Sequence, residues 1–265
     1  MRTSRVPLLL SVLAVPAVLA LAAPAASATT VQGSRTAAAA SQVGGDHAVQ
    51  VHRGSRSTSY SGNWSGYAAA NGNGGDTQVS SSWVQPAVDC TVTPSGMSSF
   101  WVGLDGWTND ALEQTGTEAD CVNGQASYYA WWEVLPANQS LFSGVTVAPG
   151  DRLSADVVDN GNGTFTMTLA DATRGWTRTK TAAGSSNRQD NSAEIIAEAT
   201  SNYGVIQPLP DFRTVTFTDA TVNDKGIAGS SPFGITMRNN DSRDITAVPG
   251  SLSGGSFPVT WRQED

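Results

Sequence analysis

Residues 98–136 read SSFWVGLDGWTNDALEQTGTEADCVNGQASYYAWWEVLP, and two segments within them alternate as strands. In 128–134, Tyr129, Trp131 and Glu133 fall on one face, and Tyr128, Ala130, Trp132 and Val134 on the other. In 100–105, Trp101, Gly103 and Asp105 oppose Phe100, Val102 and Leu104. Each strand thus offers one apolar face to a core and one face carrying tryptophan with a carboxylate. With Trp107, Gln114 and Glu118 nearby, the stretch suits a cleft that grips an extended polymer and does acid–base work on it. Ordinary surface acids on half-exposed strands are the plainer reading of the same pattern.

Outward from this stretch, short β-type runs recur between Gly, Asn, Asp and Pro punctuation: 65–70, 78–85, 152–158, 164–169, 175–181, 213–220, 233–237 and 258–262. The clearest hairpin joins 153–158 to 164–169 through Asp159-Asn160-Gly161-Asn162-Gly163. That turn lacks the later acidic ligand of a calcium loop. Helical pattern is scarce. Only SAEIIAEAT at 192–200 reads as a short helix by propensity, with Glu194 and Glu198 four apart. As a strand it would put Glu194, Ile196 and Glu198 on one face. Many short strands without a βαβ rhythm predict an all-β antiparallel sandwich.

The chain opens with Arg2 and Arg5, an apolar run over 6–23 and Ala26-Ser27-Ala28, the pattern of a secretory signal peptide over residues 1–28. No later segment approaches the ~20 apolar residues of a membrane span. The expectation is an exported, extracellular protein, without membrane attachment once the signal is cleaved. Residues 29–57 are poor in apolar bulk and hold both histidines, His47 and His52, with Arg35, Arg53 and Arg56. They read as a pro-segment or a disordered linker, leaving 58–265 as one monomeric domain.

One acidic and five basic residues precede Ser57, so the remainder has 22 acidic and 10 basic residues and a net charge of −12. Such a surface cannot neutralise phosphates and excludes nucleic acid as a partner. Cys90 and Cys121 are the only cysteines. In an oxidising compartment they are expected to form a disulfide bracing the ends of the segment that carries Trp101, Asp105 and Gln114.

Because no histidine follows His52, Ser-His-Asp and Cys-His catalysis and the usual zinc sites are excluded from the domain. No cofactor and no metal are expected. What remains is carboxylate, amide and hydroxyl chemistry: glycoside hydrolysis by two carboxyls, or peptide hydrolysis by a carboxylate-activated water. A lectin-like module that holds sugar without turnover is the reading from another class.

Five blocks, in order, make the choice specific: Gly62-Asn63-Trp64-Ser65-Gly66, Trp101-Val102-Gly103-Leu104-Asp105-Gly106, Leu112-Glu113-Gln114-Thr115-Gly116, Tyr128-Tyr129-Ala130-Trp131-Trp132-Glu133 and Ala193-Glu194-Ile195-Ile196-Ala197-Glu198. Together they resemble the glutamic peptidases, or eqolisins, over about 61–262. The resemblance implies a concanavalin A-like jelly roll of two packed antiparallel sheets, with 192–200 as a strand, and endopeptidase activity on polypeptides at acidic pH. It implies a catalytic pair of Gln114 and the second Glu of the last block, Glu198. Trp64, Trp101, Asp105, Trp131 and Glu133 would seat the substrate. Two blocks depart from the family pattern. Ser65-Gly66 stands for Gly-Gly, and Tyr129 for an Asp, differences that bear on subsite preference and pH profile.

Overall fold

The computed structural model describes Gly45–Asp46, Val51–His52 and residues 59–264. The expected signal peptide (1–28) and most of the expected pro-segment or linker (29–57) lie outside the described residues. Thirteen strands of five residues or more carry the fold. They are β1 (Trp64–Ala69), β2 (Gln78–Val84), β3 (Ser98–Leu104), β4 (Glu113–Val122), β5 (Gln125–Val134), β6 (Arg152–Asp159), β7 (Thr164–Asp171), β8 (Trp176–Ala183), β9 (Ala193–Ala199), β10 (Thr214–Val222), β11 (Phe233–Arg238), β12 (Ile245–Pro249) and β13 (Phe257–Trp261).

A front sheet runs β11–β1–β9–β3–β4–β5. A back sheet runs β8–β7–β6–β2–β10–β13–β12. The two meet where β12 pairs with β11. All these pairings are antiparallel. The protein is the β-sandwich that its short alternating runs predict.

Alternation explains the layers. Phe100, Val102 and Leu104 of β3, Ile195 and Ala197 of β9, and Ala155 and Val157 of β6 fill the space between the sheets, with Phe165, Met167, Leu169, Phe217 and Phe257. The opposite face of the front sheet carries a second cluster of Trp64, Trp101, Trp131, Leu112, Ile196 and Ile235. The expected hairpin is present in register, Leu153 opposite Asp171 through Asp159 opposite Phe165.

Two segments depart from local expectation. Residues 193–199 form β9 rather than a short helix. They are central, flanked by β1 and β3, and all seven are buried, so packing on two faces overrides a helix propensity worth only tenths of a kcal/mol per residue. The polar run EQTGTEADCV forms the ten-residue β4, nine of whose residues are buried. Its composition concealed it. Cys90 and Cys121 are bonded, their Cα atoms 5.4 Å apart, tying the C-terminal end of β4 to the segment after β2.

Candidate active site

Strand register places the functional side chains in rows across the outer face of the front sheet. Glu194 of β9 is opposite Gly103 of β3, Gly103 is opposite Gln114 of β4, and Gln114 is opposite Glu133 of β5. One row therefore reads Glu194–Gly103–Gln114–Glu133. Gly103 has no side chain to fill the gap, so the Glu194 carboxylate and the Gln114 amide face each other across it. A Cβ at Gly103 would meet Gln114 Cβ, Leu112 Cδ1 and Trp101 Cζ3, each at 3.0 Å.

The next row along the strands is Ile196, Trp101, Gly116 and Trp131. It is apolar, and Gly116 makes room for Trp101, whose Cβ lies 2.5 Å from where a Cβ on residue 116 would stand. Beyond it lies a second acidic row, in which Glu198 is opposite Ser99 and Ser99 opposite Glu118. Glu198 is thus four residues along the strands from the row of Gln114, roughly 13 Å at the usual strand rise. The structure brings Gln114 together with Glu194 and Glu133, and not with Glu198.

The two glutamates of β9 differ in environment. Glu198 Oε1 accepts from Asn63 Nδ2 at 2.9 Å, and its Oε2 accepts from Trp101 Nε1 at 2.7 Å. It is fixed by the block around Asn63 and by the tryptophan of β3. Glu194 is fully buried, and neither of its oxygens closes a hydrogen bond of good geometry, although the Ser192 hydroxyl lies beside it. Burial raises its pKa well above the ordinary carboxylate range, with Asp105 and Asp76 adding to the rise and Ser192 opposing it.

Gln114 Nε2 donates to Glu133 Oε2 at 2.7 Å, while Gln114 Oε1 accepts no hydrogen bond. Glu133, expected to seat substrate, is the partner that holds this amide. One N–H is held and the other remains available. In the second row, burial pushes Glu118 well up, and Asp120 and Glu198 push it further. Thr200 Oγ1 lies 3.2 Å from both Glu118 oxygens, and Tyr129 donates to Asp120 at 3.0 Å.

Asp105, also expected to seat substrate, has a different position. Its carboxylate accepts from the backbone N–H groups of Gln189 (2.8 Å), Asp190 (3.0 Å) and Asn191 (3.1 Å), and from Asn109 Nδ2 (2.9 Å). All four bonds point into the protein, so it clamps the segment leading into β9 and presents no free oxygen to a peptide. Glu113 assists by accepting from Ser185 N–H at 2.6 Å. Trp64, Trp101 and Trp131 are likewise 0% exposed, with Trp64 and Trp101 in edge contact at 4.9 Å. They form the packed floor beneath the row rather than open walls beside it.

Gly103, Asn63 and Glu113 have roles that the sequence alone does not assign. The signal for Gly103 was its place between Trp101 and Asp105 on a strand face, a gap in an otherwise filled row. Among the described residues, no group of three His, Cys, Asp or Glu is arranged to hold a metal ion. Nor is any helix among them long and apolar enough to cross a membrane.

A two-sheet sandwich with an amide and a carboxylate in one row across a glycine, and no histidine after His52, suits the glutamic-type peptidases. A model of the Peptidase A4 family matches residues 62–259, and the chain belongs to that family. It is 28% identical over 239 residues to Aspergillopepsin-2 of Aspergillus niger, covering 82% of this chain and 84% of that one. It is 30% identical over 178 residues to Scytalidopepsin B of Scytalidium lignicola, covering 63% and 66%. The fold is similar to scytalido-glutamic peptidase crystallised with a transition state analog inhibitor, with a TM-score of 0.66 and 24% identity over 76% of this chain and 98% of that one. Aspergilloglutamic peptidase from Aspergillus niger follows with a TM-score of 0.55 and 29% identity, covering 63% and 99%. The protein is a glutamic-type endopeptidase, and the lectin-like and glycoside-hydrolase readings are set aside.

Proposed function

We propose that Glu194, rather than Glu198, is the general base of peptide hydrolysis, with Gln114 as the oxyanion donor and Glu133 as the group that orients it. The observation that carries this reading is the shared row of Glu194, Gly103 and Gln114. A scissile carbonyl lying over Gly103 has a carboxylate on one side and an amide donor on the other. In its ionised form, the minor one in acid because burial raises its pKa, Glu194 takes a proton from water as the water oxygen attacks the carbonyl carbon. The free N–H of Gln114 meets the developing oxyanion, a contribution of typically about 10²–10³ in rate. The proton on Glu194 then passes to the leaving nitrogen as the C–N bond breaks. Glu198, four residues away with both oxygens engaged by Asn63 and Trp101, holds the floor.

The substrate is a polypeptide, in keeping with the inhibitor-bound relative, and cleavage takes place in acid. Export by the signal peptide at 1–28, with 29–57 as a pro-segment and a monomeric mature domain, completes the reading. The test is to incubate purified protein with a denatured polypeptide near pH ~4. Glu194→Gln and Gln114→Ala should each lower kcat/KM by at least about 10²-fold with the fold retained. Glu198→Gln should act chiefly on stability. An inactive Glu198→Gln beside an active Glu194→Gln would reverse the assignment.

A further inference from the structure

The row of Glu194 and Gln114 does not end at Glu194. On the far side of β9 it continues to Ala68 of β1 and then to Phe233 of β11. Ala68 is fully buried and contributes only a methyl group, so little side chain stands between Glu194 and Phe233, just as little stands over Gly103. Phe233 is half-buried, and its ring lies 5.2 Å from that of Trp107, tilted by 51°. Trp107 belongs to the segment between β3 and β4, and its backbone N–H reaches Ser192 Oγ at 3.4 Å, two residues before Glu194. Both rings rest on the buried floor that includes Trp64, Trp101, Ile196 and Ile235. The other end of the row is polar. Glu133 stands beside Gln114, which donates to it at 2.7 Å. The row therefore runs from an aromatic end to an acidic one.

We infer that Trp107 and Phe233 form the apolar wall of a substrate subsite beyond Glu194, which receives an aliphatic or aromatic side chain of the peptide. This rests on the assignment of the Glu194–Gln114 pair. A peptide laid along the row crosses three strand spacings, about 14 Å, from Gly103 to Phe233. An extended chain covers that in about four residues at ~3.4 Å each, and rings reaching back over Ala68 shorten it to two or three. The preference therefore belongs two or three residues from the cleaved bond, on one side only. Half-buried aromatic rings suit this task, since they keep apolar area available for a partner while the floor fixes their orientation.

The experiment is a peptide series in which each of four positions on either side of the cleaved bond is varied among Gly, Leu, Phe and Asp. The wild type should prefer Leu or Phe over Gly by roughly ten- to a hundred-fold in kcat/KM at one such position, mainly through KM. Phe233→Ala and Trp107→Ala should bring that ratio close to one there while leaving preferences at the other positions in place. Phe233→Leu should restore part of it, and thermal melting of each variant should confirm a retained fold. An unchanged ratio in both alanine variants, or no apolar preference two or three residues from the bond, overturns the subsite while leaving the peptidase reading intact. Full activity in Glu194→Gln removes the base assignment and the subsite with it.

Discussion

Gln114 and Glu194 stand in one row of the front sheet with only Gly103 between them. Three strands are required to make that pair, the consecutive β3 and β4 and the far later β9, and the residue at its centre has no side chain. Gly103→Ala should therefore damage catalysis more than folding. Its methyl would press on Gln114 Cβ, Leu112 and Trp101 at 3.0 Å, shifting the amide by a few tenths of an ångström and filling the space where a carbonyl would lie. The expected result is a loss of roughly 10²-fold in kcat with a modest fall in Tm. Wild-type kcat in this variant would show that nothing reacts over residue 103.

The strand alternation of 100–105 and 128–134 was enough to assign both faces of β3 and β5, because one face carries no charge and the other carries a carboxylate. The same alternation was hidden in β4, where threonines and acids occupy the inward positions as well. Glu113 holds Ser185, and Thr117 meets Gln85 and Trp83, so the buried face reads as polar. Without that strand, Gln114 and Glu118 could not be put in register, and nothing local could tell Glu194 from Glu198. Their spacing of four places both on one strand face, and only the partners of β9 show which glutamate meets the amide. Asp105 was legible as a cleft-face carboxylate but not as a clamp. Its acceptors are filled by backbone N–H groups some 84–86 residues later in the chain, which no local pattern encodes.

Asp105 tests that clamp. It adopts a left-handed backbone, φ 69°, and Asn tolerates this conformation too, so Asp105→Asn isolates the loss of the charge. One amide oxygen cannot serve three backbone donors, and the segment before β9 should loosen. The expected cost is roughly 2–4 kcal/mol of stability. Hydrogen exchange should rise at 189–192 ahead of the rest of the chain, with a fall in kcat as Glu194 loses its fixed position. Unchanged exchange in that segment would mean that other contacts hold it.

Reducing the Cys90–Cys121 bond releases a loop with a sequence separation of 31, which should cost about 3–4 kcal/mol on the chain-entropy model. Cys90→Ser with Cys121→Ser should lower the denaturant midpoint accordingly. Because Cys121 lies next to the last residue of the strand that carries Gln114, fraying should begin at 119–122. Activity at low temperature should survive, since the Gln114 end of β4 is held separately by β3 and β5.

The buried carboxyls should also make this protein more stable in acid than near neutrality. Burial raises Glu113 from 4.5 to about 8, with Asp105 and Asp190 adding to the rise while the Ser185 N–H and Arg188 oppose it. Glu118 and Glu194 are raised well above the same value, burial again being the main cause. In the unfolded chain these groups ionise near 4.5, whereas in the folded protein they retain their protons. Between the two values the native state binds more protons, so stability falls as pH rises, by about 1.4 kcal/mol per pH unit for each such group. It is fully present below about 4.5 and is lost progressively toward about 8, where Glu113 ionises in place. Denaturant unfolding from pH 4 to pH 8 should therefore give a midpoint that declines once the pH passes about 4.5. Glu113→Gln should make the decline shallower without abolishing it, because Glu118 and Glu194 still contribute. A midpoint that stays level or climbs toward neutral pH would mean that these carboxyls are already ionised in the native protein.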